Sequence, residues 1–263
     1  MTTFHIISLF PQSFDSYLSE SILKRAQDDK KIAVKFYNPR DFAQSAKKGS
    51  GKKKPAEMTY AERRVDDKPY GGGPGMVIEA LPVIRAIDAA VGKKLKTPKG
   101  KTNGKNGAKK TAVKIIFFSP SGKLADTEYV KSVAKKYTDI VLVCGRYEGI
   151  DARVKKVFKM DDVSVGPFVL TGGELPAMVI IDSVSRQIEG VLGDINSLEE
   201  NRTASSDVYT RPEMIEYKGK KYRVPKVLLS GNHKLIEEWK TQILSKSKAP
   251  SKAPAPEAGT LPK

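Results

Sequence analysis

Residues 140–151 read IVLVCGRYEGID. The apolar run from Ile140 to Cys144 ends abruptly in a turn bounded by Gly145 and Gly149. A run this short and uninterrupted suits a strand buried on both faces, as in a parallel sheet. Working outward, comparable runs occupy 4–9, 32–36, 113–118 and 163–170. Between them apolar residues recur at helical spacing, as Phe14, Leu18 and Ile22, then Leu81, Ile84, Ile87 and Val91, then Tyr129, Val133 and Tyr137. Strands alternating with helices predict an α/β fold, a mainly parallel sheet with helices on both faces. A last helix is expected from near Glu174 to near Gly190, with Pro176 tolerated in its first turn and Met178, Ile181, Val184 and Ile188 facing the sheet. Beyond it, 194–207 is polar and reads as a linker, 209–245 as a small unit with a helix at 235–244, and the Lys-, Pro- and Ala-rich tail as chain without fixed structure.

The chain of 263 residues carries 47 Lys and Arg against 30 Asp and Glu, a net charge of +17, which favours an anionic partner. Most of that surplus is local: residues 43–56 hold five Lys and 89–125 hold ten Lys, neither with an acid. These stretches read equally as solvated insertions or as loose phosphate contacts. Within the second, Gly100-Lys101-Thr102 resembles the end of a P-loop, but Leu95 stands where the first glycine is required, so a nucleotide-triphosphate site is rejected. A single cysteine, Cys144, excludes an internal disulfide, and with His5 and His233 as the only histidines a structural zinc site lacks its ligands. No apolar run approaches the roughly 20 residues that span a bilayer, so no membrane association and a cytoplasmic location are expected.

Glycine-rich loops carry the functional signal, because several follow strands, where an open α/β sheet presents its ligand crevice. VDDKPYGGGPGM at 65–76 includes Gly73 and Gly75 and matches neither the dinucleotide fingerprint nor a P-loop. Without a Cβ, its backbone can approach a base or phosphate closely; otherwise it is a mobile turn. Ser119-Pro120-Ser121-Gly122 follows Phe118, and Gly145-Arg146-Tyr147-Glu148-Gly149 follows Cys144. The fourth loop runs Val165-Gly166-Pro167-Phe168-Val169-Leu170-Thr171-Gly172-Gly173 into the last helix. The last three are expected to converge on one pocket whose backbone groups read an adenine edge between the apolar walls of Tyr147 and Phe168.

NPRDF at Asn38, VDDKPYGGGPGM, FFSPSG, LVCGRYEGID, VLTGGELPAM, IDSVSR, GVLG, YTRPE and VPKVLLSGNH occur in this order over about residues 4 to 240. The series resembles the bacterial tRNA (guanine-N1)-methyltransferases of the SPOUT class. That resemblance implies a deep trefoil knot, S-adenosylmethionine bound in it, a homodimer, and methylation of guanosine 37 in the tRNA anticodon loop. It implies a catalytic domain at 1–192 with insertions near 43–56 and 92–112, a linker at 193–207, a small helical tRNA-binding domain at 208–245 and a tail at 246–263. It assigns the cofactor to Phe118, Ser119, Pro120, Gly145, Tyr147, Val165, Gly166, Pro167, Phe168, Val169, Leu170, Gly172 and Gly173. Gly73, Gly75, Asn201 and Asp207 fall to the tRNA side, and Glu148 to the target or a magnesium ion. The family often has an Asp-Tyr pair where Pro167-Phe168 stands here.

Methylating guanine N1 requires a base for the N1 proton, a donor for the charge growing on O6, and a methyl group held in line. The resemblance gives the donor role to Arg186 of SVSR; the structural alternative is an i,i+4 pair with Asp182. For the base, the family places a linker Asp where this sequence has Asn201, and an amide cannot accept that proton. Glu200 or Glu199 in its place, Asp207 folded back, or slow chemistry are the open readings, with Glu200 preferred. Two rival functions are a knotted methyltransferase acting on a ribose hydroxyl and a tRNA-binding protein that has lost turnover.

Overall fold

The computed structural model describes residues 1–43, 58–96, 113–193 and 207–247. Most of both lysine-rich insertions, the linker residues Glu199, Glu200 and Asn201, and the tail beyond 247 lie outside the described residues. The chain divides into two units, Met1–Ile195 and Asn196–Lys263.

The first unit is built on five parallel strands in the order β2-β1-β6-β5-β7. These are β1 (Thr2–Ile7), β2 (Ile32–Tyr37), β5 (Val113–Leu124), β6 (Asp139–Val143) and β7 (Asp161–Ser164). A two-residue pair, β3 (Asp66–Asp67) and β4 (Val77–Ile78), forms a separate ribbon. Successive residues in the central strands supply opposite faces, as the pleat requires. Phe4, Ile6, Ile116, Phe118, Ile140, Leu142 and Cys144 pack on one side, and Ile7, Ile115, Phe117, Val141 and Val143 on the other. The first side is covered by α1 (Asp15–Leu18), α2 (Ser21–Asp28), α4 (Thr127–Lys136) and α6 (Glu174–Ser185). The second is covered by α3 (Ala80–Lys96) and α5 (Arg153–Val157). Every residue of β6 is buried, in keeping with its unbroken apolar run and central place.

Four expectations are corrected. The apolar face of α3 is Val83, Ala86, Ile87 and Val91 with Ile84 half-buried beside it, while Leu81, in the first turn, is 57% exposed. The helix expected through Phe14, Leu18 and Ile22 is a 3-10 turn (Pro11–Phe14) followed by α1 and α2, broken at Ser21 (φ +49°), so Leu23 rather than Ile22 is buried. The strand expected at 163–170 ends at Ser164, because Gly166-Pro167 leaves the ladder and Pro167 has no N–H to donate; Val169 is 82% exposed. The last helix ends at Ser185, with turns carrying the chain to Gly190 (φ +79°). No helix among the described residues is long and apolar enough to cross a membrane.

The second unit holds a hairpin, β8 (Met214–Tyr217) with β9 (Lys220–Arg223), then α7 (Lys226–Leu229) and α8 (His233–Ser247). The hairpin turn is Lys218-Gly219, both at positive φ (50° and 73°), the two-residue geometry that matches strand twist.

Candidate active site

A cleft of about 450 Å³ opens beside the middle of β5 and at the carboxyl ends of β6 and β7. Its size falls within the range of small-molecule sites. Three segments wall it: Phe117 to Pro120, Gly145 to Ile150, and Val163 to Gly173 without Pro167. The glycine loops therefore meet as expected, and of the cofactor residues assigned by resemblance only Pro167 is absent from the lining.

Each wall is fixed by its own chemistry. Phe118 and Lys123 both pair with Val163, so 119–122 is a bulge inside β5 rather than a loop after it. The bulge tolerates no side chain at Gly122, where a Cβ would lie 2.5 Å from the backbone nitrogen of Val163. In the second wall, Tyr147 adopts φ +57°, a left-handed conformation unusual for a bulky residue. The surroundings hold it there. Glu148 donates its backbone N–H to Met76 (3.0 Å), Gly149 donates to Arg146 (3.0 Å), and Ile78 in turn donates to Gly149 (3.0 Å). A Cβ on Gly75 would meet the Glu148 carboxylate at 2.6 Å, so the glycine-rich loop 71–76 backs this wall, although Gly73 and Gly75 do not line the cleft.

The third wall starts from Ser164, whose hydroxyl donates to the Gly166 carbonyl (2.8 Å) and accepts its N–H (3.2 Å). The Phe168 ring folds back over Gly166, where a Cβ would come within 2.2 Å of it. Gly173 then donates to the Gly145 carbonyl (2.9 Å) and passes so close to Cys144 that a Cβ would lie 2.6 Å from its Cα. Bare backbone at 166, 172 and 173 leaves a cradle whose edge is amide and carbonyl, with Phe118, Pro120, Leu170 and Pro176 as apolar surface.

Arg146 and Glu174 complete the frame, and sequence reasoning assigned a role to neither. Arg146 Nε lies 2.9 Å from Glu174 Oε2, while the other carboxylate oxygen accepts the Ser8 hydroxyl (2.8 Å). Glu174 is 3% exposed in the first turn of α6, where a negative charge also meets the helix dipole favourably. Their signal was that both sit inside quoted motifs, each directly after a glycine. Burial raises the Cys144 thiol well above its ordinary value, with the Glu174 charge adding to that shift, so it is an inert packing residue.

The remaining sequence-predicted residues lie elsewhere. Arg186 is the C-cap of α6, ten residues beyond the cleft-lining Pro176, hence about 15 Å from the cleft along the helix. On the same helix, Asp182 Oδ2 accepts the Tyr17 hydroxyl at 2.6 Å, so this carboxylate also ties α6 to α1. Glu200 and Asn201 lie outside the described residues, and Asp207 belongs to the second unit. Among the described residues no group of three or more His, Cys, Asp or Glu side chains is arranged to hold a metal ion.

A model of the family described as "tRNA (Guanine-1)-methyltransferase TrmD" matches residues 2–253. The tRNA (guanine-N(1)-)-methyltransferase of Clostridioides difficile is 40% identical over 243 residues, covering 91% of this chain and 90% of that protein. That of Vibrio cholerae is 41% identical over 239 residues, covering 89% and 83%. Among solved structures, the tRNA (m1G37) methyltransferase of Aquifex aeolicus superposes with a TM-score of 0.67 at 34% identity, covering 94% of this chain and 92% of that one. By sequence and by fold, this chain belongs to the tRNA (guanine-1)-methyltransferase family.

Proposed function

We propose that the protein methylates N1 of guanosine 37 in the tRNA anticodon loop, with S-adenosylmethionine as methyl donor and a cytoplasmic location. The observation that carries this reading is the convergence of the three glycine-bearing loops on one cleft. The cleft fits the donor: its backbone edge suits an adenine, and its apolar walls suit the flat ring and the aliphatic arms of the sulfonium. Bound there, S-adenosylmethionine supplies an electrophilic methyl group on a sulfonium sulfur. The chain's own residues do the rest. Phe118, Ser119, Pro120, Gly145, Tyr147 and the segment from Val165 to Gly173 bind and orient the donor, and exclude water from it. Pro167 contributes by turning the chain rather than by contact.

The close pass of Gly173 at Cys144, where a side chain would strike backbone, supports a trefoil knot here, since a threaded chain leaves little room where it crosses itself. Such threading is rare enough to need this kind of local accommodation.

Arg186 donates to guanine O6, and Glu200, with Asp207 as its alternative, takes the N1 proton. Arg186 is too far from its own cleft to reach it, which supports a homodimer in which α6 of one subunit serves the cleft of the other. The exposed stripe of Leu175 and Val179 on α6 supplies apolar surface for that contact. Glu148 is the one carboxylate among the cleft-lining residues and contacts the target; a lone carboxylate is not a magnesium cage, and no step is routed through a metal. In the second unit, exposed Tyr217 and Tyr222 with Lys218 and Lys220 over their rings (5.3 and 5.5 Å) suit RNA contact.

The test is methyl transfer from labelled S-adenosylmethionine to tRNA transcripts carrying guanosine or adenosine at position 37. Transfer to the first alone is expected; equal transfer to both, or binding without transfer, contradicts the reading.

A further inference from the structure

Beside the cleft, four side chains from distant parts of the sequence form an alternating column of cations and rings. The Arg146 guanidinium carbon lies 4.8 Å from the Phe10 ring centre. On Phe10 also sits Arg40, at 5.5 Å, and Arg40 in turn lies 5.7 Å from the ring of Tyr60. The column starts at a cleft-lining residue and ends at a tyrosine that is 79% exposed.

Its members are mounted rather than loose. Arg40 donates to the Leu9 carbonyl (3.1 Å), and its turn is capped by Asn38, whose side chain accepts the Arg40 N–H (3.0 Å). Phe10 is set by its own N–H, which donates to Ser8 (2.9 Å), the same hydroxyl that holds Glu174. Tyr60 rides on a turn closed by Thr59 and Glu62, each side chain bonded to the other's backbone N–H (2.9 and 3.3 Å). Arg63 of that turn is tied to Asp41 (2.7 Å), the neighbour of Arg40. The NPRDF motif thus has a physical role, in which Asn38 and Asp41 aim Arg40 and Tyr60 at each other.

A mostly exposed ring, carried on a hydrogen-bonded turn and backed by a guanidinium, is a stacking platform for an unpaired base, and the cations beneath it favour an anionic strand. We propose that this column, with Tyr60 as its outer face, stacks the nucleotide adjacent to the target guanosine and so holds the anticodon loop open at the cleft. The proposal rests on the reading of the chain as a tRNA methyltransferase and names a contact of that same site.

The experiment is a double-mutant cycle between protein and RNA. Wild-type enzyme, Tyr60→Ala and Tyr60→Phe are each given full-length tRNA transcripts that are intact or carry an abasic ribose immediately 5′ or 3′ of the target. Kd is read by fluorescence anisotropy and KM by methyl transfer. Removing the base on the stacked side should weaken wild-type binding about tenfold, an ordinary worth for one stacked base. Tyr60→Ala should show the same loss on intact tRNA with no further penalty from the abasic site, and Tyr60→Phe should restore the penalty. Equal abasic penalties in wild type and Tyr60→Ala overturn the proposal. So does a Tyr60→Ala protein that sediments as a smaller species, which assigns the ring to a contact between copies. If the wild type transfers no methyl group at all, the functional reading fails, while the coupling in Kd still decides the column.

Discussion

Arg146 and Glu174 are joined by an ion pair of 2.9 Å, and through it the turn after β6 is fastened to the first turn of α6. Removing one partner strands the other in a largely desolvated place. Glu174→Ala should therefore lower unfolding stability by about 3 kcal/mol, as for other broken buried pairs. Glu174→Gln, which keeps an acceptor for Ser8, should lose less. Urea titration checks this: the midpoint should fall without a change of slope.

A second buried network predicts acid sensitivity. His5 Nε2 lies 2.9 Å from Asp139 Oδ1, which also accepts from Lys94 at 2.6 Å. Burial pushes the His5 imidazole below its ordinary 6.5, outweighing the opposite pull of Asp139. Burial alone would raise the Asp139 carboxyl, but hydrogen bonds from Lys94 and His5 bring it below its ordinary 3.8. Both groups bind fewer protons folded than unfolded, so each loses stability as pH falls. The melting temperature should be level above about pH 7, decline from 6.5 downward and decline again below 3.8. His5→Gln should abolish the upper decline only; an unchanged upper decline, followed by calorimetry, would contradict this assignment.

Arg186 in trans gives a complementation test. Gly145 has room for a Cβ, with Ile150 nearest at 3.7 Å, so Gly145→Leu should fold while filling the cleft. Gly145→Leu and Arg186→Ala should each be inactive alone. Mixed and allowed to exchange subunits, they should recover roughly a quarter of wild-type activity, from one sound composite site in half of the dimers. No recovery despite demonstrated exchange would place Arg186 in the site of its own subunit.

The identity of the base is decided by single-turnover methyl transfer across pH. Glu200→Gln should slow the chemical step by roughly 10²-fold or more, the range for losing a general base, and Asp207→Asn should not. The reverse pattern assigns the proton to Asp207.

The sheet was legible because Ile140 to Cys144, in its centre, is buried on both faces and an unbroken apolar run reports that directly, while the edge strand β2 is half-exposed yet keeps its apolar residues. Helix faces were less so: Leu81 shares the period of Ile84, Ile87 and Val91 yet is exposed in the first turn of α3, and the break at Ser21 buries Leu23 in place of Ile22, which periodicity does not weigh. The cleft-lining glycines were legible as loops after strands, but the bulge at 119–122 was not, because it depends on how β5 pairs with β7. Ser8, Phe10 and Tyr60 carry no local signal, and Arg40 is marked only by its place in NPRDF. They become neighbours of Arg146 and Glu174 only once β1 lies between β2 and β6, a matter of strand order that no window of sequence contains.

If these loops hold a methyl donor against N1 of a guanine base, the product itself will say so. The decisive assay is nucleoside analysis of tRNA methylated by the purified protein, with digestion to single nucleosides and identification by mass and retention. The expected product is 1-methylguanosine, lost when Gly145→Leu fills the cleft. A 2′-O-methylated nucleoside, or undiminished 1-methylguanosine from the filled-cleft variant, would refute the assignment.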